Sequence, residues 1–445
     1  MKRIIATIIG LSMVSMIFVG CSSKDGQNAQ QSNSSTPGSS TDSVKPAQNV
    51  ELVIESWRAD DVKVWQDVIL PAYEKTHEGV KIKFNGVINT EYGTTLQTKL
   101  KAKSAGDIIM VEPYDFRSSL YADGYLEKLN DLEGANTQSF DEFALSAWST
   151  DSGDLFGLPL ASVIHGFIYN KNIFKELNLE IPKTVDEFLA VLKKVQESKK
   201  YTPIAMGTGS DFVTSVLGYS VVVPNFVNGE EGRQGLINGT KKFTDAGYVE
   251  AWEFLNNWVP YMPEGYEAVT YPDMQNLFIS GQAAIFPAGS WEFSIFDAQI
   301  KDSFEYGVFP VPTKNAGDPS YVCNHPDMGL ALNADSPNKE QAKAFLTWTT
   351  TGEFAEIWNN ALPGLYTLSK NKVDIKNPLA NEMLAWTQTM GSTPRIAYQY
   401  LSRGDFNTDA EIIRLTTLML NKKLKPAEVA AQIQEGLEKS YKPVK

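Results

Sequence analysis

Apolar and polar positions along the chain keep to two periods. Glu51-Leu52-Val53-Ile54-Glu55-Ser56-Trp57 is a short apolar strand that runs into a polar turn, Arg58-Ala59-Asp60-Asp61. A helix-period stretch carrying Trp65, Val68, Ile69 and Tyr73 follows. Val80-Lys81-Ile82-Lys83-Phe84 alternates like a second strand, 92–105 reads as a helix, Asp107-Ile108-Ile109-Met110-Val111 as a buried strand, and a third helix is expected to end near Leu132. Strands alternating with helices predict an α/β fold with a mostly parallel sheet. Ligands of such sheets bind at the carboxyl ends of the strands, which makes 57–61 and 112–117 candidate site loops.

The ends of the chain change the picture. Lys2 and Arg3 precede an apolar run over 4–19 that is short for a membrane span and is interrupted by Thr7, Gly10, Ser12 and Ser15. Residues 1–20 therefore read as a secretory signal peptide. Phe18-Val19-Gly20-Cys21 resembles a bacterial lipobox, with Phe18 where Leu is usual, and so Cys21 is expected to be lipidated and palmitate-bearing. Residues 21–49 have almost no apolar side chain and read as a disordered tether on the outer face of the cytoplasmic membrane. Roughly 395 residues remain, enough for two domains of common size.

The formal net charge of −13 excludes a nucleic-acid partner, because phosphate binding needs a positive field. With Cys21 and Cys323 the only cysteines, acylation of Cys21 leaves no disulfide. The chain holds neither a Gly-x-Ser-x-Gly elbow nor a phosphate-cradling Gly-x-x-x-x-Gly-Lys-Ser/Thr loop, so any ATPase has to be another polypeptide. Cys323, His325 and Asp327 look like metal ligands, but no second Cys or nearby His completes the set, and the segment reads as a loop. Asp405, Asn407 and Asp409 are spaced like a Ca²⁺ loop without its Gly and terminal Glu, and read as solvated turn acids.

From Gly157 the chain continues LPLASVIHGFIYNKNIFKELNLEIPKTVDEFLAVLKKV. Further on come Phe278-Ile279-Ser280-Gly281-Gln282-Ala283-Ala284-Ile285, Gly289-Ser290-Trp291, Tyr306-Gly307-Val308 and Ser336-Pro337-Asn338-Lys339. In order and spacing these segments resemble the family-1 extracellular solute-binding proteins, which include the maltose-binding protein. The resemblance implies two discontinuous α/β lobes, 50–163 plus 305–355 and 164–304 plus 365–445, with a hinge region at 356–364. Crossings would fall near 161–165, 304–306 and 362–366. It further implies a monomeric, cofactor-free subunit of an ABC importer that captures a sugar, expected to be an oligosaccharide, and delivers it to permease subunits driven by a separate cytoplasmic ATPase.

A sugar receptor needs aromatic platforms and planar polar groups. Trp291 is the leading candidate: small residues precede it, leaving room for ligand at the backbone, and in the resembling proteins a Trp here stacks on sugar. Trp57 and Arg58 close the first strand, where the guanidinium offers a fork of donors. Glu112, Tyr114 and Asp115 follow the third strand, and their carboxylates suit paired hydroxyls. His165 and Tyr366 sit at crossings, and Arg395 follows Pro394. Phe212 matches an aromatic that faces sugar in relatives, and Asp211 beside it either bonds hydroxyls or caps a helix. Trp358, at helical spacing with Phe354 and Ile357, reads as core. Two other readings stay open: a secreted glycan-processing enzyme with paired carboxylates, and a receptor for glycerol phosphate or a polyamine.

Overall fold

Burial of alternate side chains drives the opening strand, β1 (Val50–Ser56), in which Leu52 and Ile54 are fully buried and Glu51 is exposed. β2 (Val80–Gly86) pairs parallel on one side of it and β3 (Ile108–Val111), buried throughout, on the other. The remaining strands are β4 (Leu158–Asn170), β5 (Thr202–Ile204), β6 (Ala283–Gly289), β7 (Tyr306–Phe309), β8 (Tyr321–Leu332), β9 (Tyr366–Thr367) and β10 (Gly391–Thr393). The computed structural model describes residues 49–403 and 406–444, with backbone only at 115 and 116. The signal peptide, Cys21 and the tether up to residue 48 lie outside the described residues, as does Asp405.

The strand order is β2-β1-β3-β8-β4-β6-β5, with β7 and β9 beside β4 and β10 beside β8. β4 and β8 are long because each serves two lobes. The first half of β4 pairs with β8 from Asn324 to Leu330, next to β3, whereas the second half of β4 pairs with β6 and β7. The outer pairings are parallel and the central ones, β3–β8, β8–β4 and β4–β6, antiparallel. The expectation of a mostly parallel sheet is corrected accordingly: chain segments that shuttle between lobes return in the opposite direction.

Two separate hydrophobic cores define the lobes. The first draws on residues between Leu52 and Val163 and between Met328 and Leu365, together with Tyr398, and has Trp65, Trp148 and Trp358 fully buried in it. The second draws on residues between Ile164 and Val322 and from Tyr366 to Leu437, around Phe167, Phe188, Trp252 and Trp258. Residues 305–322, assigned to the first lobe from the sequence, thus belong with the second: β7 pairs with β4 from Phe167 to Asn170, and Val308, Phe309, Val311 and Val322 join its core. The second crossing lies inside β8 and not at 304–306. The third helix also ends earlier than expected, at Ala122.

The crossings are tied together at Ser290, which is fully buried. The backbone N–H of Ile164 donates to its Oγ at 3.1 Å, and that hydroxyl in turn donates to the carbonyl of Gly364. Gly364 has φ +85°, and a Cβ there would lie 2.0 Å from the Ser290 carbonyl oxygen, so only glycine fits. Ser290→Ala should cost about 1–3 kcal/mol by leaving the Ile164 N–H buried without an acceptor. Gly364→Ala should cost more, since strain and clash coincide. Urea denaturation of the two variants checks both values and their order.

Candidate functional site

The carboxyl ends of β1 and β3 face the second lobe, and the space between encloses a cavity of about 210 Å³. The first lobe contributes Trp57, Arg58, Asp60 and Glu112. Arg58 is held by a two-pronged bond to Asp61, at 2.5 and 3.0 Å, and its Nη2 reaches the Trp291 carbonyl of the opposite lobe at 3.4 Å. Glu112 is gripped in the same manner by Arg117, at 2.5 and 2.8 Å. Bidentate pairing fixes both side chains before any ligand arrives, which lowers the entropy lost on binding.

The second lobe supplies Trp291, Phe212, Tyr271 and Gln275, with Asp327, Arg395, Tyr398 and Asp409 at the other side. Trp291 packs against both cores, stands edge-on to His165 at 5.1 Å, and donates its Nε1–H to the Tyr271 hydroxyl at 2.9 Å. Its ring covers Gly289, where a Cβ would come within 1.8 Å of it. The small residue before Trp291 therefore admits the tryptophan itself, and the expectation that ligand approaches the backbone there is corrected. Tyr271 and Gln275 both donate to Glu292 beneath the cavity, the latter at 2.9 Å.

Charges of both signs line the wall. Burial raises the Asp60, Asp327 and Asp409 carboxyls above their usual range, opposed by Arg58 at the first and Arg395 at the other two. The Arg395 guanidinium lies 5.0 Å from the centre of the Tyr398 ring and 3.8 Å from Asp327. Glu292 is fully buried, and desolvation pushes its carboxyl up to about 7 despite the two donors on it.

Of the residues expected from sequence, Trp57, Arg58, Glu112, Phe212, Trp291 and Arg395 line this cavity. Asp211 lies in an adjoining hollow that shares Phe212 with it. Tyr114 lines a different hollow, behind Tyr398, and the Asp115 side chain is outside the described atoms. Tyr366 is corrected from platform to core: it is 4% exposed and its hydroxyl donates to the Ala380 carbonyl at 2.8 Å.

His165 is likewise buried beneath the cavity, its Nε2 2.9 Å from that of His325. This also corrects the reading of Cys323, His325 and Asp327 as a loop without a nearby histidine. They lie on β8, and β4 brings His165 alongside, so that ligand atoms of His165, Cys323 and His325 fall within 4.8 Å of one another. The set does not suit a cation. His325 Nδ1 donates to the Pro326 carbonyl at 2.7 Å, leaving Nε2 to accept from Arg395 Nε at 3.2 Å. Burial and the Arg395 charge keep both imidazoles neutral, and burial pushes the Cys323 thiol up to about 12.

Sequence reasoning missed Asp60, Tyr271, Gln275, Asp327, Tyr398 and Asp409. Asp60 stood in the strand-end loop already singled out, and that position was the available signal. Asp409, taken for a solvated turn acid, is 3% exposed and faces the cavity, a placement that depends on packing between distant segments.

Comparison with known proteins adds independent findings. Residues 56–353 match the family model described as bacterial extracellular solute-binding protein. The chain is 24% identical over 295 residues to the multiple sugar-binding protein of Streptococcus mutans, covering 64% of this chain and 67% of that one. It is 22% identical over 346 residues to the melibiose/raffinose/stachyose-binding protein MelE of Bacillus subtilis, covering 77% and 76%. The solved structure of the solute-binding protein RafE in complex with raffinose superposes with a TM-score of 0.70 at 21% identity, over 87% of this chain and all of that one.

The position of Glu292 gives a pH prediction. Its folded-state pKa of about 7 exceeds the ordinary 4.5, so the folded protein holds this proton more tightly than the unfolded chain. The linked stability is complete below about pH 4.5 and is lost as pH rises to about 7, by roughly 3 kcal/mol. Asp60, Asp327 and Asp409 tilt the profile the same way. Glu292→Gln should flatten the fall in melting temperature across that window, measured by calorimetry at a series of pH values.

Proposed function

The chain belongs to the bacterial extracellular solute-binding protein family, and from that premise we propose that it captures a sugar, an oligosaccharide, between its lobes and hands it to an ABC permease. The observation that carries the reading is the mixed composition of the cavity wall. Arg58 and Arg395 face carboxylates Asp60, Glu112, Asp327 and Asp409 across it, with Trp57, Phe212 and Trp291 between. Such a wall offers donors, acceptors and apolar faces together, which is what a neutral ring of hydroxyls and C–H groups presents in return.

The same wall disfavours the charged alternatives. An anion such as glycerol phosphate would meet four carboxylates, and both guanidinium groups already have carboxylate partners. A polyamine would meet Arg58 and Arg395. As a member of a family of binding proteins the chain captures its cargo rather than transforming it, and the relatives named for melibiose, raffinose and stachyose support a sugar as that cargo.

In this reading binding closes the lobes about β4, β8 and Gly364, and the closed form docks on the permease while a separate ATPase supplies the energy. Lipidation at Cys21 keeps a monomeric receptor at the outer face of the membrane. Aromatic stacking contributes roughly 0.5–1.5 kcal/mol per platform, and a micromolar dissociation constant, about −8 kcal/mol, suffices for capture.

A thermal-shift screen against mono-, di- and oligosaccharides should show a rise in melting temperature with one glycan class. Glu112→Gln should weaken that glycan at least about tenfold, the loss of one charged hydrogen bond, and Trp291→Ala about two- to tenfold, the loss of one platform. A rise with glycerol phosphate or a polyamine and none with any glycan would instead make this a receptor for a charged solute.

A further inference from the structure

We infer that the cleft is blind at one end and open at the other, so that the protein reads a glycan from one terminus and lets the remaining units run out past Phe212. This rests on the sugar reading above and adds the direction in which the cargo lies.

The open end is continuous with the cavity. Ile88, Asn89, Phe212, Tyr271 and Pro272 line both the cavity and a neighbouring hollow of about 310 Å³. That hollow leads on to Thr90, Ser210, Asp211 and Thr270, a row of hydroxyls with one carboxylate. Ile88, on its first-lobe side, is 51% exposed. The passage is walled by an aromatic ring on one side and an aliphatic side chain on the other, which suits a sugar ring in transit.

The opposite end is shut by two tyrosines that pack in the first core. Tyr398 lines the cavity, and Tyr114 stands edge-on behind it, ring centres 5.7 Å apart at 62°. Beyond the pair lies a hollow of about 720 Å³ that, among the described residues, shares no lining residue with the cavity. The partition is firmly held. Tyr114 takes φ 56°, and its N–H donates to the Ala147 carbonyl at 2.6 Å. The Tyr398 carbonyl accepts from Arg233 Nη1 at 2.9 Å, while Glu230 holds the same guanidinium through two bonds of 2.9 Å. A non-glycine residue in this backbone region is costly and persists where its surroundings impose it.

Charge is distributed to match. Arg58, Asp60, Glu112, Asp327 and Arg395 crowd the shut chamber, whereas the open hollow holds Asp211 and neutral hydroxyls. A terminal unit in the chamber would be read group by group, and later units would meet few obligatory partners. Specificity for the end unit with tolerance of length follows, because unpaired buried polar groups penalise a wrong terminal unit and solvated ones do not.

The test uses galacto-, malto- and chito-oligosaccharides from disaccharide to hexasaccharide. Each is taken unmodified, with a fluorescent aromatic amine on the reducing end, or with a benzylidene acetal on the non-reducing end, and titrated calorimetrically. The expected result is a bound series in which one end tolerates its label and the other loses at least tenfold in affinity. Asp211→Ala should weaken only the longer members, by roughly two- to tenfold, and Tyr114→Ala should make the blocked end tolerant. An unmodified glycan that binds while both labelled forms bind equally, or while neither does, overturns the blind-ended cleft and leaves the sugar reading standing. Failure of every unmodified glycan to bind overturns the sugar reading and this inference with it. The comparison of labels is made on the unsubstituted protein, so it stands even if Tyr114→Ala fails to fold.

Discussion

The buried hydroxyl of Ser290 is the point on which both lobes depend. It accepts from the backbone where β4 leaves the first core and donates to the backbone where the chain leaves that core again at Gly364. Trp291, the next residue, packs against both cores and forms part of the cavity wall. The junction of the lobes and the cavity wall are therefore adjacent in sequence, and a shift at one has to be felt at the other. A tightly packed interior has discrete arrangements and resists continuous deformation, so such a junction favours two lobe positions over a spread.

Below this junction the site is held by pairs formed before any ligand arrives. Arg58 leans on Asp61, Glu112 on Arg117, and Glu292 accepts from Tyr271 and Gln275 while desolvation favours its protonated form. His165 and His325 supply a neutral, hydrogen-bonded floor between the crossing strands, kept uncharged by burial and by Arg395. The first two pairs orient groups that line the cavity, and Glu292 and the two histidines lie buried behind it. This is preorganisation: the cost of ordering these side chains is met in folding.

Much of this was legible in the sequence because it is local. The strand ending at Ser56, its polar turn and the carboxylate after β3 announce themselves by period and by topology, and Trp291 by its position in a resemblance that spans the chain. Period and motif are silent on distance. Nothing near Asp409 in sequence says that it comes to lie beside Arg395, and nothing near His165 says that β8 brings His325 within hydrogen-bonding reach. Tyr366 misled for the related reason that a crossing position looks the same whether its side chain turns outward or into a core. The lobe boundary at 305 failed because β7 is a short strand whose partner, β4, lies far back in the chain.

The central claim is capture between two lobes, and the most direct measurement is a crystal structure of the protein with the glycan that raises its melting temperature. The account predicts density for sugar bounded by Arg58 and Glu112 of one lobe and by Trp291 and Arg395 of the other. Density on the outer surface of a single lobe, with the space between Arg58 and Trp291 filled only by solvent, would contradict it.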